Sequence, residues 1–352
     1  MTRPLDCLLV TGGCGFIGSA FIRRLFARDD FAGRIVNLDK LTYAGNPANL
    51  EGAVDPARYT FVHGDIADRE AVEAVVAEHG VDTIVNFAAE THVDRSIHGP
   101  ADFIRSNVVG TFTLLEVARE RGLHLHQVST DEVYGSLGPT GTFREDDPYR
   151  PNSPYAASKA SADHLVRAWH HTYGLTVTTS NCSNNYGPCQ FPEKLIPLMV
   201  LKALAGEALP VYGDGLNVRD WLHVDDHGDA VLTILREAEA GTVWNVGGRS
   251  ERTNLQVLAA LLDAVAAHAG RDRGALEELI TFVPDRPGHD RRYAVDCSRL
   301  EQGLGWAPTV RFEDGIDATV RWYLEHPEWI EGVRTGAYRD WLQTNYDARS
   351  SE

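Results

Sequence analysis

The chain has little cysteine, and none of it is arranged for structural use. Its five cysteines, Cys7, Cys14, Cys182, Cys189 and Cys297, are odd in number and scattered over 352 residues, with no Cys-x-x-Cys pair. That argues against a disulfide framework or a cysteine-based zinc site and predicts reduced thiols in a cytoplasmic protein. No metal is expected elsewhere, because His124/His126 and His170/His171 have no Cys or carboxylate at ligand spacing and read as surface or packing histidines. Long hydrophobic runs are also missing. The apolar run near the N-terminus, "CLLV", is too short for a signal-peptide core or a membrane span, so the expectation is a protein that stays off the membrane. Basic charge is scarce: 33 Lys and Arg face 50 Asp and Glu, a formal net charge of -17. Such a surface argues against a nucleic-acid partner, and any anionic ligand must be caught locally.

What is present is the composition of a soluble protein, 43% hydrophobic and 24% charged, in a chain longer than the roughly 250 to 300 residues at which single cores stop growing. Two lobes are expected. Short apolar segments ("CLLVTGG", "RIVNLDK", "VDTIVNFAAE", "LHQVSTDEVYG", "LTVTTSNCS") alternate with helix-like ones, among them a run from Pro100 to Gly122 and another from Ser153 to Tyr173. Strand-helix alternation of this kind means a doubly wound parallel sheet covered on both faces, an α/β Rossmann-type fold. After about Asn184 the texture changes, with Pro188, Pro192, Pro197 and Pro210 among short elements. The reading is a dinucleotide-binding domain over residues 1–184, with 222–250 returning to it. A smaller mixed α/β substrate lobe takes most of 185–352, and the ligand site is a crevice between the two.

Between the first strand and first helix stands Thr11-Gly12-Gly13-Cys14-Gly15-Phe16-Ile17-Gly18. Glycines there permit a tight turn, close approach of backbone to a pyrophosphate, and packing of helix on strand, with phosphates at the helix N-terminus. Asp39 closes the second strand about 20 residues on, where a carboxylate binds ribose hydroxyls and repels a 2′-phosphate, favouring NAD over NADP. Asp65 and Ile66 in "HGDIAD" could reach the adenine, and "NFAAETH", with Phe87, Ala88, Ala89 and Thr91, ends the fourth strand with small residues suited to lie along the cofactor.

Farther on, Tyr155-Ala156-Ala157-Ser158-Lys159 puts a phenol and an ammonium one helical turn apart on one face. A phenol near its ordinary pKa of about 10 is a poor base, and a neighbouring cation should lower that barrier. Upstream, "STDEVYG" places Asp131 and Glu132 side by side where a buried strand ends.

Together these residues resemble the extended short-chain dehydrogenase/reductases that act on nucleotide sugars, and most closely their dTDP-glucose 4,6-dehydratase branch. The resemblance spans nearly the whole chain through "TGGCGFIGS", "DKLTYAGN", "AAETHVDRS", "STDEVYGSL", "SPYAASKASADHLV", "NCSNNYGP", "FPEKLIPL", "VRDWLHVDDH" and "DRPGHDRRYAVD". It implies NAD as a retained cofactor and a redox-neutral cycle: oxidation at C4, loss of water across C5 and C6, reduction at C6. In that cycle Tyr155, helped by Lys159 and Thr130, handles the 4-hydroxyl proton. Glu132 removes the C5 proton, and Asp131, kept protonated, donates to the leaving 6-hydroxyl. A 4-epimerase needs no such acid pair.

Carried over by position, the resemblance adds Lys40, Leu41, Thr42, Ser106 and Asn185 to the cofactor contacts. For the substrate dTDP-glucose it implies Thr91 and Asn184 at the sugar and phosphate, and Lys194 and Leu195 near the nucleotide. Pro210 and Tyr212 would lie at the thymine, and Arg219 and Arg286 at the diphosphate with Asn254 and His289 nearby; Tyr346 would close the site. It also implies a homodimer through a bundle of the two long helices. Departures are Cys14, where alanine is common, and Cys189, where an aromatic is common; the segment from Gly138 to Pro151 is short. The alternatives are another nucleotide-sugar 4,6-dehydratase, a 4-epimerase or decarboxylase, and a non-catalytic NAD-sensing protein on the same fold.

Overall fold

The computed structural model describes residues 3–286 and 288–334. In chain order the first half contains β1 (Cys7–Thr11), α1 (Phe16–Phe26), β2 (Arg34–Asp39), β3 (Tyr59–His63), α2 (Arg69–His79), β4 (Thr83–Asn86), α3 (Val93–His98), α4 (Pro100–Phe103), α5 (Thr111–Arg121), β5 (His124–Thr130), α6 (Pro154–Tyr173) and β6 (Val177–Cys182). Then come β7 (Asn184–Tyr186), α7 (Leu195–Ala205), β8 (Leu209–Tyr212), β9 (Val218–His223), α8 (Val224–Glu237), β10 (Thr242–Val246), β11 (Glu251–Thr253), α9 (Asn254–Ala269), α10 (Arg273–Glu277), β12 (Ile280–Val283), α11 (Ser298–Leu304), α12 (Phe312–Glu325) and α13 (Pro327–Val333).

Seven strands form one sheet in the order β10-β6-β5-β4-β1-β2-β3, every neighbour pair parallel. The Rossmann-type expectation holds. Its cause is visible along β1, where side chains alternate between faces. Cys7 and Leu9 pack with Val76 of α2, Leu114 of α5 and Val166 of α6. Leu8 and Val10 pack with Phe21 and Ile22 of α1 and Val231 of α8. A strand buried on both faces must be apolar at consecutive positions, as "CLLV" is. A separate core joins α7, α9 and α12 through Met199, Leu261, Val265, Ile316 and Val320, beside a three-stranded sheet (β11-β9-β7) and a two-stranded one (β12-β8).

The run from Pro100 to Gly122 departs from the single amphipathic helix its sequence suggests. Between α4 and α5 the backbone widens into a π-helical stretch, Ile104–Gly110. Buried Asn107 lies inside it, donating to the Glu90 carbonyl (3.0 Å) and the Ser158 hydroxyl (2.8 Å) and accepting from the Glu90 N–H (2.9 Å). The wider turn holds one amide against two other segments, a use that helix propensity does not encode. The second long helix forms as its sequence suggests: Ser153 caps it through the Ala156 N–H (3.1 Å), proline occupies its first turn, and left-handed Gly174 ends it.

Candidate active site

The strand order reverses between β1 and β4, and at such a point the carboxyl ends of the strands leave a crevice. One continuous crevice runs there from the glycine loop, past the ends of β2, β4 and β5, to Asn184, Asn185 and Lys194.

The glycine loop fits a dinucleotide by exclusion of side chains. At Gly12 φ is +68°, and a Cβ would stand 2.7 Å from the Ala88 backbone; one at Gly18 would overlap the Gly12 carbonyl. These two glycines let α1 pack on β1 and β4. Gly15 differs: a Cβ there would find only the Gly12 oxygen, at 3.2 Å, so its bare backbone leaves room for a ligand. Gly15 is also the N-cap of α1, with no side-chain cap and no acidic residue in the first turn. Contrast α2 and α9, which Asp68 and the Thr253/Gln256 pair cap internally. The free N–H groups and positive end of α1 suit a pyrophosphate.

At the end of β2, Asp39 accepts from the N–H groups of Cys14 (2.8 Å) and Leu41 (2.8 Å), which fixes its carboxylate at the crevice wall with lone pairs left for ribose hydroxyls. Burial raises its pKa against those two bonds. Leu41 takes a left-handed φ of +52° to make its bond and points partly outward, so it does not line the crevice, whereas Lys40 and Thr42 do. Lys40 pairs with Asp65 (2.9 Å), and Ile66 and Ser106 complete this end. Burial works against the charged Asp65, but the Ala67 N–H and Lys40 outweigh it and hold its pKa below the usual value.

The reacting end is built on β5. Thr130 caps a single 3₁₀ turn, Asp131–Tyr134, by accepting the Glu132 N–H (3.3 Å), and its hydroxyl reaches Asp131 Oδ1 (3.4 Å). Asp131 is only 2% exposed and its Oδ2 has no hydrogen-bond partner. Burial, then the charge of Glu132, pushes Asp131 well above the usual carboxyl range. Glu132 is partly exposed; burial raises it too, but Arg286, Arg219 and Lys194 pull it back. Both carboxyls are thus raised, Asp131 the further, so Asp131 is the one suited to keep a proton and Glu132, among the cations, the one readier to lose it. Gly135, at φ +88°, ends the turn where a side chain would strike the Arg150 carbonyl.

Tyr155 and Lys159 are buried on α6 facing this turn. The sequence leads one to expect the ammonium to lower the phenol. Instead, burial and the charge of Glu132 push Tyr155 well above its ordinary value, with the Thr130 hydroxyl working the other way. Lys159 is anchored to the Val128 carbonyl (2.7 Å), and burial lowers its pKa while Asp163 opposes the fall. The phenol is thus held neutral by the protein's own groups.

On the substrate side, three cations converge. Lys194 Nζ donates to the Thr91 carbonyl (2.9 Å), and Arg219 donates to the carbonyls of Val218 (2.8 Å) and Asp290 (2.9 Å) while stacking 4.3 Å over Tyr293. Arg286 faces Asp94 at 3.6 Å. All three act on Glu132, so the positive pocket that an acidic chain needs is assembled here.

With that geometry in place, the comparisons decide the family. A family model described as GDP-mannose 4,6 dehydratase matches residues 9–319. The chain is 55% identical to a dTDP-glucose 4,6-dehydratase from Xanthomonas campestris pv. campestris (strain B100) over 345 residues, 94% of this chain and 97% of that one. The chain belongs to the dTDP-glucose 4,6-dehydratase family. A solved dTDP-glucose 4,6-dehydratase from Streptomyces venezuelae, with NAD bound, shares 49% identity at a TM-score of 0.87, covering 93% of this chain and all of that one. A UDP-glucose 4-epimerase from Thermus thermophilus, also with NAD, overlays with a TM-score of 0.81 at 32% identity, covering 90% of this chain and 99% of that one. The fold is thus shared between dehydratases and epimerases.

In this dehydratase scaffold the crevice brings together Gly12, Gly15, Phe16, Ile17, Gly18, Asp39, Asp65, Phe87, Ala88, Ala89, Thr91, Thr130, Asp131, Glu132, Tyr155, Lys159, Asn184, Asn185 and Lys194. Leu195, Pro210 and Asn254 lie off its wall, at the starts of α7 and α9 and on β8, and so do Tyr212, Arg219, Arg286 and His289, although Arg219 and Arg286 act on Glu132 by charge. His289 stacks edge-on near Tyr212 (6.1 Å) and burial lowers its pKa to about 4. Tyr346 lies outside the described residues. Sequence reasoning passed over Cys182, Gln190, Phe191 and Glu193, which also line the crevice; three of these stand within or just before "FPEKL", where that motif could have pointed to them. The positions of Cys14 and Cys189 are buried, the latter at φ +66° with Arg23 donating to its sulfur (3.6 Å). Among the described residues no group of His, Cys, Asp and Glu is placed to hold a metal, and no helix is long and apolar enough to cross a membrane.

Proposed function

We propose that the chain is an NAD-dependent dTDP-glucose 4,6-dehydratase, a hydro-lyase that converts dTDP-glucose to dTDP-4-keto-6-deoxyglucose and water. The observation that carries this reading is the Asp131/Glu132 pair at the end of β5, one carboxyl buried without a partner on Oδ2 and the other beneath three cations. When bound, NAD would supply the hydride acceptor and donor and a positive charge that favours the phenolate. The glycine loop, the α1 N-terminus and Asp39 would hold it.

Tyr155, neutral in the protein alone, would give up its proton once a cationic cofactor is bound; as phenolate, beside the Thr130 hydroxyl and the positive charge of Lys159, it takes the proton of the sugar 4-hydroxyl as C4 is oxidised. The 4-ketone makes the C5 proton acidic. Glu132, whose charge Arg286, Arg219 and Lys194 favour against its burial, removes that proton, while Asp131 donates to the departing 6-hydroxyl. Glu132 returns a proton to C5 as C6 is reduced. The division of labour follows the chain: residues 1–184 with 222–250 serve the cofactor and most of 185–352 the nucleotide sugar.

A cytoplasmic homodimer belongs to the same proposal. Ile104, Val109, Phe112 and Tyr173 are exposed on the π-helical stretch, α5 and α6, where Trp169 stacks edge-on between Phe112 (5.7 Å) and Tyr173 (5.6 Å). A patch of this kind suits a second copy. All five cysteines are buried and unpaired, as in a reducing compartment.

The test is incubation of the purified protein with dTDP-glucose and no added cofactor. Formation of the 4-keto-6-deoxy product is expected. Binding of dTDP-glucose without turnover, even with NAD supplied, would sink the reading.

A further inference from the structure

Helix α3 carries, side by side in its first turn, two residues of opposite charge that reach different parts of the site. Arg95 donates to Glu193 (3.1 Å) and lies 3.8 Å over the Tyr43 ring, and Tyr43 in turn donates to Glu193 (2.8 Å). Asp94, only 5% exposed, accepts the Tyr212 hydroxyl on Oδ2 (3.2 Å) and presents Oδ1 to Arg286 (3.6 Å). Tyr212 ends β8, and Arg286 follows β12. Those two strands run parallel, pair with each other, and belong to neither larger sheet. Tyr212 and Arg286 therefore leave the same end of a separate two-stranded ribbon, and Asp94 ties that end to the half of the molecule that carries the glycine loop.

The three cations around Glu132 are held differently. Lys194 and Arg219 have their hydrogen bonds on carbonyl oxygens, with the charges of Glu193 and Asp94 acting on Lys194 from farther off. Arg286 faces a carboxylate, which orients it and tempers its charge until a ligand anion arrives. We propose that Asp94 is a positioning residue for the nucleotide sugar: it holds Tyr212 and Arg286 in place, so that the diphosphate meets a guanidinium already aimed and the two halves of the crevice stay in register. The gain is preorganisation, side-chain ordering completed before the ligand binds.

The inference rests on the dTDP-glucose reading of the site, and its test separates the two. Asp94→Asn, Asp94→Ala and Asp94→Glu are purified with their bound NAD and compared with wild type by calorimetry with thymidine diphosphate and by steady-state kinetics with dTDP-glucose. In the Asn and Ala variants the Kd for thymidine diphosphate and the KM should each rise roughly tenfold, equivalent to ~1.4 kcal/mol. The kcat should stay within about twofold, and Asp94→Glu should recover most of the affinity. NAD content should not change, and the loss in affinity should exceed anything a lower melting temperature explains, since both variants are assayed well below their melting points. A KM that falls in Asp94→Asn would overturn the proposal, since Asp94 would then only compete with the diphosphate for Arg286. A lower kcat at unchanged KM would overturn it equally. Should Asp94→Ala fail to fold, Asp94→Asn keeps the volume and an acceptor for Tyr212. Wild type that binds thymidine diphosphate without turning over dTDP-glucose would defeat the dehydratase reading, and the calorimetric comparison would still decide the role of Asp94.

Discussion

The two ends of the crevice are built by different means. At the cofactor end the main chain does most of the shaping: Gly12 in a left-handed turn, Gly18 against the Gly12 carbonyl, an uncapped α1, and Asp39 held by two N–H groups. At the reacting end side chains do it, through charges brought from β5, α6, β9 and the loops before α7 and after β12. A site shaped by backbone tolerates little change in volume and much change in charge. A site shaped by charge has the opposite tolerance.

The sharpest break should come from Tyr155→Phe, which keeps the ring and removes the acid-base oxygen. Turnover of dTDP-glucose should fall by roughly 10² to 10⁴, with bound NAD unchanged, measured as product formation by purified variant. Next in size, Glu132→Gln should slow exchange of the C5 proton with solvent deuterium by about 10²-fold or more, while Asp131→Asn should spare that exchange relative to loss of the 6-hydroxyl. Equal slowing of both steps in both variants would mean the carboxyls do not divide the work. At the cofactor end, Gly18→Ala should cost both NAD content and melting temperature, because its Cβ overlaps the Gly12 carbonyl. Gly15→Ala, whose Cβ would stand 3.2 Å from the Gly12 oxygen and need only a small shift, should cost NAD content more than melting temperature, read from absorbance of the released cofactor.

The smallest effect is one of stability and follows from linkage. Asp131 has a raised pKa in the folded protein, so between the ordinary carboxyl pKa and that raised value the folded state binds the extra proton and stability falls as pH rises. Asp131→Asn should therefore melt a few degrees higher than wild type at pH 8, with the gain vanishing below about pH 4. A variant no more stable than wild type at pH 8 would show that Asp131 is not strained by its burial.

Much of the cofactor end was legible in the sequence because its signals are local. A glycine spacing, a strand-ending Asp and a Tyr-x-x-x-Lys on one helix face are set by short-range geometry. The identity of the acid pair was legible too, since it rides on the end of β5. What could not be read was whatever depends on distant partners. The π-helical stretch exists for contacts of Asn107 with Glu90 and Ser158, which lie 17 and 51 residues away. The anchoring of Lys159 to Val128 rather than to the phenol, the convergence of Arg219 and Arg286 on Glu132, and the tie from Asp94 to a separate ribbon all arise from tertiary placement. Composition, periodicity and motif spacing carry no term for any of them.

The bond from Lys159 to the Val128 carbonyl has one more implication. Val128, Thr130 and Asp131 lie along β5 and its immediate end, so the Lys159 ammonium and the Asp131 carboxyl are referenced to a single strand at the centre of the sheet. With both groups on one mount, the spacing between ammonium and carboxyl is set by the main chain of β5, a strand buried along its whole length, and not by the loops that border the crevice.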